Sequence, residues 1–551
     1  EGRMGAIPSQ PTREELETLV GRLEASYRAA AEALLHADVL LLCTGAGFSA
    51  DSGLAVYQDI AELEAYQEHG LKYHDICRPQ WLRQDPELFY GFWGTCYNDY
   101  RDTQPHEGYH TVRRWVDERF SAGSLVDVAV RHAARAYEDL LDKSGAAGAP
   151  GGSSSSRSSP YPIEGRPGAF FLFTSNVDAH SFDYFEPWEV RECHGNTEVW
   201  QCGADTGPCC RDMWRAPLDF RFVVDTRTMR APKEASAASP RSTSSLRWGC
   251  QAAEAGEDGK DDGSGARARA GRVHRPFGHR RDPCSRLPPM DDEAKAGFPE
   301  GSNWPLCPHC GAKARPAILM FGDTNWVSDA GQEARWWTWR NSVCSVARSA
   351  RWCGRRLRVL VLEIGCGGNV PTVRHAAEGA AAQLADDADV TVVRINPDYP
   401  LPDRLLSTSG HLRHLALPCR GLEALQHIQQ HYEAIQAADA KALALAKPGR
   451  RRPRTAPRIG GDLDLGADSD DPEPLRLPTS EEVKRAERHR AKLEQEALTR
   501  ERSRSRDGSR CGPAANGSSQ SEGGAHHQGR KAEAPVRQLL PRVAKGRQLR
   551  Y

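Results

Sequence analysis

The chain has 551 residues, of which 39% are hydrophobic, and its formal net charge is -1. This length suffices for two or more domains, but the low apolar content predicts that part of the chain builds no core. The balanced charge excludes a global electrostatic attraction to nucleic acid or to a membrane surface. The 16 cysteines are too few and too scattered for a disulfide scaffold. Several follow a metal-site pattern instead, so we expect a reducing compartment, either the nucleus or the cytoplasm.

Membrane insertion and secretion are not indicated by the sequence. No apolar run approaches the roughly 18 residues that a membrane-spanning helix needs, and no signal-peptide core follows Glu1. The sequence does not begin with Met, so a targeting segment ahead of Glu1 stays open.

The first predicted elements are a helix over residues 13–36 and a buried strand over residues 39–43. Thr12 and Glu15 form a capping-box pattern at the start of the helix. The strand runs into a turn that contains Gly45 and Gly47, and such a turn can bring a phosphate to bare backbone N–H groups. Ordinary strand-to-helix turns use the same glycines, so this turn alone is ambiguous.

The rest of the chain alternates between strands and helices. Residues 58–141 are predicted to be mostly helical, with an aromatic cluster that belongs to the core. Further strands are predicted over residues 169–173, 357–364 and 390–395, with a helix over residues 373–384 between the last two. This alternation predicts an α/β fold with a doubly wound, Rossmann-like parallel sheet.

Polar, Gly- and Ser-rich stretches divide this pattern into segments. The predicted segments are an N-terminal helix (1–36), a first part of the Rossmann-like domain (37–200) with a flexible insertion (144–167), a small zinc-binding module (201–325) with a disordered insertion (231–303), a second part of the Rossmann-like domain (326–432) and a charged, mostly disordered C-terminal tail (433–551). Basic runs in the tail are interpreted as solvated chain, with a nuclear-import or nucleic-acid patch as the alternative.

Polar residues follow the second strand and predict a ligand site. Asn176 and Asp178 are two residues apart, so in an extended stretch their amide and carboxylate face the same way and can grip a carboxamide. An Asx turn is the alternative for this pair. His194, beside Gly195, is a candidate general base on an open loop.

A cysteine pattern predicts a structural zinc site. Cys307 and Cys310 have the spacing of a zinc knuckle, and Cys202 with Cys209 or Cys210 would supply the second pair. We prefer Cys209, which follows a proline. Four thiolates leave no open coordination position, and the alternative is a set of reduced core cysteines.

Two more strand ends carry candidate cofactor residues. They are Gly365, Cys366 and Gly367 after one strand, and Asn396 after the next. Both segments lie where the adenosine half of a dinucleotide would cross the sheet, although each is also compatible with an ordinary turn.

Together and in this order, these segments resemble the sirtuins, a family of NAD-dependent protein deacylases, over residues 37–430. The sequences of residues 51–54, 174–178 and 394–397 are most similar to those of the divergent bacterial-type branch. The resemblance implies His194, Asn176 and Asp178 as catalytic residues and Cys202, Cys209, Cys307 and Cys310 as ligands of a structural Zn²⁺. It implies NAD binding by Gly45, Ala46, Gly47, Ser49, Tyr57, Ser175, Asn176, Asp178, Gly365, Cys366, Gly367 and Asn396.

The resemblance also implies the reaction and the partner. An acylated lysine would bind between the two domains, near residues 315–323, and His194 would act as general base on a ribose hydroxyl of NAD. The chain departs from the family where Gln58 stands in place of the usual Arg and Ser175 in place of the usual Gln. These departures keep two alternatives open, namely mono-ADP-ribosyl transfer and a non-catalytic scaffold that binds NAD or ADP-ribose.

Overall fold

The computed structural model describes residues 10–56, 64–68, 70–121, 123–143, 165–235, 295–403 and 410–445. Residues 1–467 form one unit and residues 468–551 a second, and only the first contains described residues. Tyr57, Gln58, most of the two predicted insertions and the tail beyond residue 445 lie outside the described residues. Among the described helices, none combines the length and the apolar character needed to cross a bilayer.

The described chain contains nine named strands and twelve α-helices. The strands are β1 (Val39–Thr44), β2 (Phe170–Thr174), β3 (Val190–Glu192), β4 (Val199–Cys202), β5 (Met213–Arg215), β6 (Ala314–Pro316), β7 (Leu357–Ile364), β8 (Ala388–Ile395) and β9 (Leu412–Leu417). The helices are α1 (Arg13–Gly21), α2 (Leu23–His36), α3 (Ala46–Ala50), α4 (Glu64–Gln67), α5 (Tyr73–Ile76), α6 (Trp81–Gln84), α7 (Pro86–Asp102), α8 (Glu107–Trp115), α9 (Leu125–Lys143), α10 (Ala330–Trp352), α11 (Thr372–Leu384) and α12 (Gly421–Leu445).

Six strands form one parallel sheet in the order β3-β2-β1-β7-β8-β9. Every residue of β1 is buried, as expected for an apolar strand that is covered on both faces. The strand order reverses between β1 and β7, and a crevice outside the carboxyl ends of the strands is the usual ligand site at such a point. The predicted doubly wound α/β fold is confirmed.

The N-terminal helical region differs in one respect from the prediction. The capping box of Thr12 and Glu15 is present, but residues 13–36 form two helices and not one. The first helix ends at Gly21, and Arg22 lies outside helical geometry with φ -107° and ψ 4°. Glycine disfavours a helix interior, which explains why the helix breaks there.

A second core lies around a three-stranded antiparallel sheet in the order β5-β4-β6. Buried aromatic residues of α7 pack in the same core as Trp200, Phe222 and Phe298, so the predicted aromatic cluster is core. The ends of the second predicted insertion are also folded. Phe298 is buried, and the Asn303 amide donates hydrogen bonds to two backbone carbonyls. Helix α12 likewise continues to Leu445, beyond the boundary predicted at residue 432.

Candidate functional site

The carboxyl ends of four adjacent strands bring the predicted site segments together. Thr44 at the end of β1 pairs with Thr174 of β2 on one side and with Ile364 of β7 on the other. Thr174 in turn pairs with Glu192 at the end of β3. The turn after β1, the loop after β2, the His194 loop and the glycine loop after β7 therefore lie side by side at one edge of the sheet.

The glycine turns after β1 and β7 pack directly against each other. The amide of Gly45 donates to the Ile364 carbonyl, and that of Gly47 donates to the Gly365 carbonyl, each over 3.0 Å. A Cβ atom on Gly45 would lie 2.7 Å from the Gly365 oxygen, and Gly365 itself has φ +67°. These glycines are therefore required by a close approach of two backbone loops.

This packing corrects one sequence expectation. The amides of Gly45 and Gly47 were expected to be bare, but both donate to backbone carbonyls. Of the three residues in this turn, Ala46 carries the amide for which the described residues provide no backbone acceptor. Ala46 is also the first residue of α3 and lines the adjacent pocket.

Ser49, Asn176 and Asp178 form a buried hydrogen-bonded chain. The Asn176 Nδ2 donates to the Ser49 Oγ over 2.9 Å, and the Ser49 hydroxyl donates to the Asp178 carboxylate. Because the single Ser49 proton goes to Asp178, Ser49 accepts from Asn176, and this fixes the orientation of the amide. The Asn176 Oδ1 then points away from Ser49 and is a buried acceptor without a hydrogen-bond partner in the described structure.

This chain of polar groups lines a pocket with an aromatic wall. The pocket is lined by Ala46, Ser49, Leu54, Ala55, Tyr73, Phe92, Trp93, Cys96, Tyr100, Ser175, Asn176, Val177 and Asp178. The sequence pattern did not predict Phe92, Trp93 and Tyr100 as site residues, because helical spacing alone does not separate core aromatics from pocket aromatics. An unpaired buried acceptor beside flat rings suits an aromatic ligand that carries an amide.

His194 lies on the neighbouring strand end and faces a different loop. Its Nε2 lies 3.4 Å from the Oγ1 of Thr372, the first residue of α11. It does not belong to the residues that line the pocket around Asn176. Burial and, to a smaller extent, the positive charge of Arg191 lower the pKa of His194 from 6.5 to about 4. The ring is therefore neutral near pH 7 and has a free lone pair to accept a proton.

The loop that carries His194 is held in place by two tight contacts. Gly195 has φ +74°, and a Cβ atom there would lie 1.8 Å from the Ala317 carbonyl oxygen. The His194 carbonyl accepts from the Leu319 amide over 2.9 Å. The His194 loop is thus attached to residues 317–319, which follow β6 of the small module. Only glycine fits this approach, which explains the His-Gly pair.

The predicted adenosine-side residues hold loops together through their side chains. The Asn396 Nδ2 donates to the Cys366 carbonyl over 2.8 Å, and its Oδ1 accepts from the amides of Asp398 and Tyr399. The Cys366 thiol is buried beneath the loop, near the carbonyls of Cys43 and Ile364. In contrast, the Cα of Gly367 faces open space. The backbone at Gly367 is therefore an accessible part of this loop.

Four cysteines converge in the small module. The Sγ atoms of Cys202 and Cys310 lie 3.7 Å apart, those of Cys209 and Cys307 lie 3.6 Å apart, and all four lie within 4.8 Å of one another. Thiolates at the usual Zn–S distance of about 2.3 Å on a tetrahedral ion stand about 3.8 Å apart, so this donor set fits a structural Zn²⁺. Cys209, and not Cys210, is the member of the group.

Comparisons with known proteins give one partial sequence match and distant structural likenesses. No family model matches the chain. A segment of 60 residues is 47% identical to the NAD-dependent protein deacylase 2 of Pseudomonas syringae pv. tomato. That match covers 11% of this chain and spans about a quarter (24%) of the length of the curated relative.

The solved structures that resemble the chain include two Sir2 complexes. One contains a deacetylated p53 peptide and 3′-O-acetyl ADP ribose, and the other an inhibitor, 2′-O-acetyl-ADP-ribose and deacetylated p53 peptide. Both are 12% identical to this chain with a TM-score of 0.32, and they cover 73% and 74% of it and 97% of their own chains.

Proposed function

We propose that this chain is an NAD-dependent protein-lysine deacylase of the sirtuin family, of its divergent bacterial type. The observation that carries the proposal is the buried Asn176–Ser49–Asp178 chain with its unpaired amide oxygen, at the switch point of a Rossmann-like sheet. The 60-residue similarity to a curated deacylase supports the same class of enzyme.

The pocket fits the nicotinamide end of NAD. The unpaired Oδ1 of Asn176 is placed to accept a hydrogen bond from a carboxamide N–H, and an unpaired buried acceptor costs about 1–3 kcal/mol until it is satisfied. Phe92, Trp93 and Tyr100 supply flat surfaces for a pyridine ring. Among the described residues, the Ala46 amide has no backbone acceptor and Gly367 faces open space, so we assign these two groups to the diphosphate and the adenosine half.

His194 is assigned the role of general base. When NAD is bound, it supplies the ribosyl carbon that receives the acyl oxygen of the lysine as nicotinamide leaves. A neutral His194 accepts a proton from a ribose hydroxyl at a ring nitrogen, and burial keeps this nitrogen unprotonated near pH 7. Thr372, 3.4 Å from Nε2, orients the ring in the free protein.

The acylated lysine is proposed to approach along residues 315–323. The backbone of this segment joins the His194 loop through Leu319. The buried Arg315–Asp323 ion pair fixes its fold. Phe321 is exposed and contacts Tyr73 edge to face, with the ring centroids 6.0 Å apart. An extended peptide can add as a strand in such a cleft.

The experiment measures nicotinamide release and identifies the adenosine product by mass spectrometry. The full chain is incubated with NAD and an acetylated peptide, and His194→Ala and Asn176→Ala are compared with His411→Ala, an exposed histidine paired with Asp389. We expect O-acyl-ADP-ribose from the wild type and from the control, and losses of at least 100-fold in the two site variants. Unchanged turnover in His194→Ala would remove the assigned base.

Mono-ADP-ribosyl transfer is the second candidate function. It is favoured by Gln58, which cannot supply the fixed positive charge of the Arg usual in sirtuins. NAD with a labelled adenine would then leave label covalently attached to protein. A lack of retained label, together with O-acyl-ADP-ribose formation, would exclude this candidate. Tight NAD binding without nicotinamide release would instead indicate a non-catalytic scaffold.

A further inference from the structure

A second group of metal-binding side chains lies beside the four-cysteine cluster. It consists of Cys210, Asp212 and His309, whose ligand atoms all lie within 4.8 Å of one another. None of the three belongs to the four-cysteine cluster, and the proposed deacylase function uses none of them. They combine a thiol, a carboxylate and an imidazole, the three kinds of ligand that Zn²⁺ accepts in proteins.

The spacing of Asp212 and His309 is that of two ligands on one ion. The Nε2 of His309 lies 3.2 Å from the Oδ2 of Asp212. Nitrogen and oxygen ligands at about 2.0–2.1 Å from a tetrahedral Zn²⁺ stand roughly 3.3 Å apart. An ordinary ion pair gives the same distance, so the third ligand, Cys210, distinguishes a metal site from an ion pair.

The four-cysteine cluster restricts the backbone that carries two of the three ligands of the second group. Cys210 directly follows Cys209, and His309 lies between Cys307 and Cys310 in the zinc knuckle. An ion held by the four cysteines therefore fixes the backbone next to Cys210 and on both sides of His309. Asp212 immediately precedes β5, so a strand of the small sheet restricts its position. Three ligands on a preorganised backbone lose less conformational entropy when they bind an ion than ligands on a free loop.

We propose that Cys210, Asp212 and His309 bind a second divalent transition-metal ion, with Zn²⁺ as the matching ion. On binding, the Cys210 thiol loses its proton to solvent and the thiolate, the neutral imidazole and the carboxylate bond to the ion. With three protein ligands the ion keeps one position for water. The side chains of His309 and Asp212 are 36% and 44% exposed, so this ion exchanges more readily than the one held by four thiolates.

Metal analysis of the full chain and three variants tests the proposal. Purified protein is loaded with Zn²⁺, freed of excess metal by gel filtration and measured by elemental mass spectrometry. The test variants are Cys210→Ser and Asp212→Asn, which replace half-buried or exposed groups by groups of similar size. The matched control is Cys353→Ser, an exposed cysteine that belongs to neither group.

The difference between proteins is the readout, because cysteines outside the described residues can also take up zinc. We expect each test variant to bind one equivalent less than the wild type, and the control to bind as much as the wild type. Equal stoichiometry in all four proteins would overturn the proposal. A loss in only one test variant would also overturn it, because the three side chains would then not act as one site.

Loading with Co²⁺ gives an independent check on the ligands. The ion that the test variants lose should contribute a weaker sulfur-to-cobalt charge-transfer band than the first ion, since one thiolate and not four is bound to it. A lost ion with the spectrum of a four-thiolate site would mean that Cys210 serves the first cluster. That result would contradict the second site while leaving the proposed deacylase activity untouched.

Discussion

The amide of Gly47 donates a hydrogen bond to the carbonyl of Gly365 over 3.0 Å, although 318 positions separate the two residues in the sequence. This bond joins the turn after β1 to the turn after β7 across the switch point of the sheet. The approach is so close that a Cβ on Gly47 would lie 2.7 Å from the Cα of Gly365. The base of the proposed NAD site is therefore built from two glycine turns in backbone contact.

Gly47→Ala is expected to lower the free energy of unfolding by about 1–3 kcal/mol. The added methyl group has to displace the backbone of Gly365, and overpacking of this kind is not relieved by rotating a side chain. Gly379→Ala is the matched control, because a Cβ there meets open space on α11. Its stability should stay equal or rise by up to about 1 kcal/mol. Urea unfolding followed by circular dichroism measures both, and equal stabilities would contradict the packing argument.

The sequence allowed the sheet to be predicted because its strands are apolar on both faces. The strands predicted over residues 39–43, 169–173, 357–364 and 390–395 match β1, β2, β7 and β8 to within two residues at each end. Strands β3 and β9 were missed, since β3 has only three residues and only the last two residues of β9 are buried. The break at Gly21 was missed because the apolar spacing continues through it.

The sequence indicated which segments carry the residues of the candidate site, but it did not indicate how these segments contact one another. The spacing of the cysteines indicated four ligands, and the structure brings together the preferred four. The glycines after β1 indicated a tight turn, but not that another glycine turn would fill it. No local pattern places Phe92 in the same pocket as Asn176, because one lies on a helix and the other follows a strand far along the chain. The roles of His194, Asn176 and Asp178 remain proposals.

Asn176→Ala is expected to leave the free energy of unfolding within about 1 kcal/mol of the wild type. The Asn176 amide already has an unpaired buried oxygen, so its removal relieves a cost while one hydrogen bond to Ser49 is lost. The variant should lose the rise in melting temperature that NAD produces in the wild type. Thermal unfolding measures this without NAD and with NAD at about 1,000 times its Kd, where a bound ligand strongly stabilises the folded state.

Asn303→Ala is the matched control for that variant. Asn303 is also a buried amide, but it donates to two carbonyls and accepts from the Val223 amide. Three hydrogen bonds worth about 1 kcal/mol each predict a loss of roughly 2–4 kcal/mol. NAD should still stabilise this variant. Equal destabilisation of the two variants would argue against a ligand role for the Asn176 oxygen.

His194 is expected to make the fold less stable as the pH falls from about 6.5 to about 4. Burial, and then the charge of Arg191, lowers the pKa of the folded histidine to about 4, while the unfolded one titrates near 6.5. Between these values the unfolded chain binds the additional proton, so unfolding becomes more favourable as the pH falls. The contribution of this one residue is on the order of 1–3 kcal/mol.

The pH effect is measured as a difference between variants, because buried His106 is shifted in the same direction. The free energy of unfolding is determined in urea at pH 7 and pH 4.5 for the wild type, His194→Gln and His411→Gln. We expect the loss between the two pH values to be smaller in His194→Gln than in the wild type. His411→Gln is the control for replacing a histidine at an exposed position. Parallel losses in all three proteins would mean that His194 is not protected from protonation.

Removal of the ion from the four-cysteine cluster is expected to unfold the small module. The cluster joins the end of β4 to the zinc knuckle, and the core beside it contains Trp200, Phe222 and Phe298. Cys310→Ser should therefore lose zinc and several kcal/mol of stability, because the ion binds only the folded arrangement. Cys353→Ser, which changes another exposed cysteine, should do neither. Near-ultraviolet circular dichroism of the aromatic core and zinc content are measured together during chelation. Zinc loss without any change in the aromatic signal would mean that the core of the module stays folded without the ion.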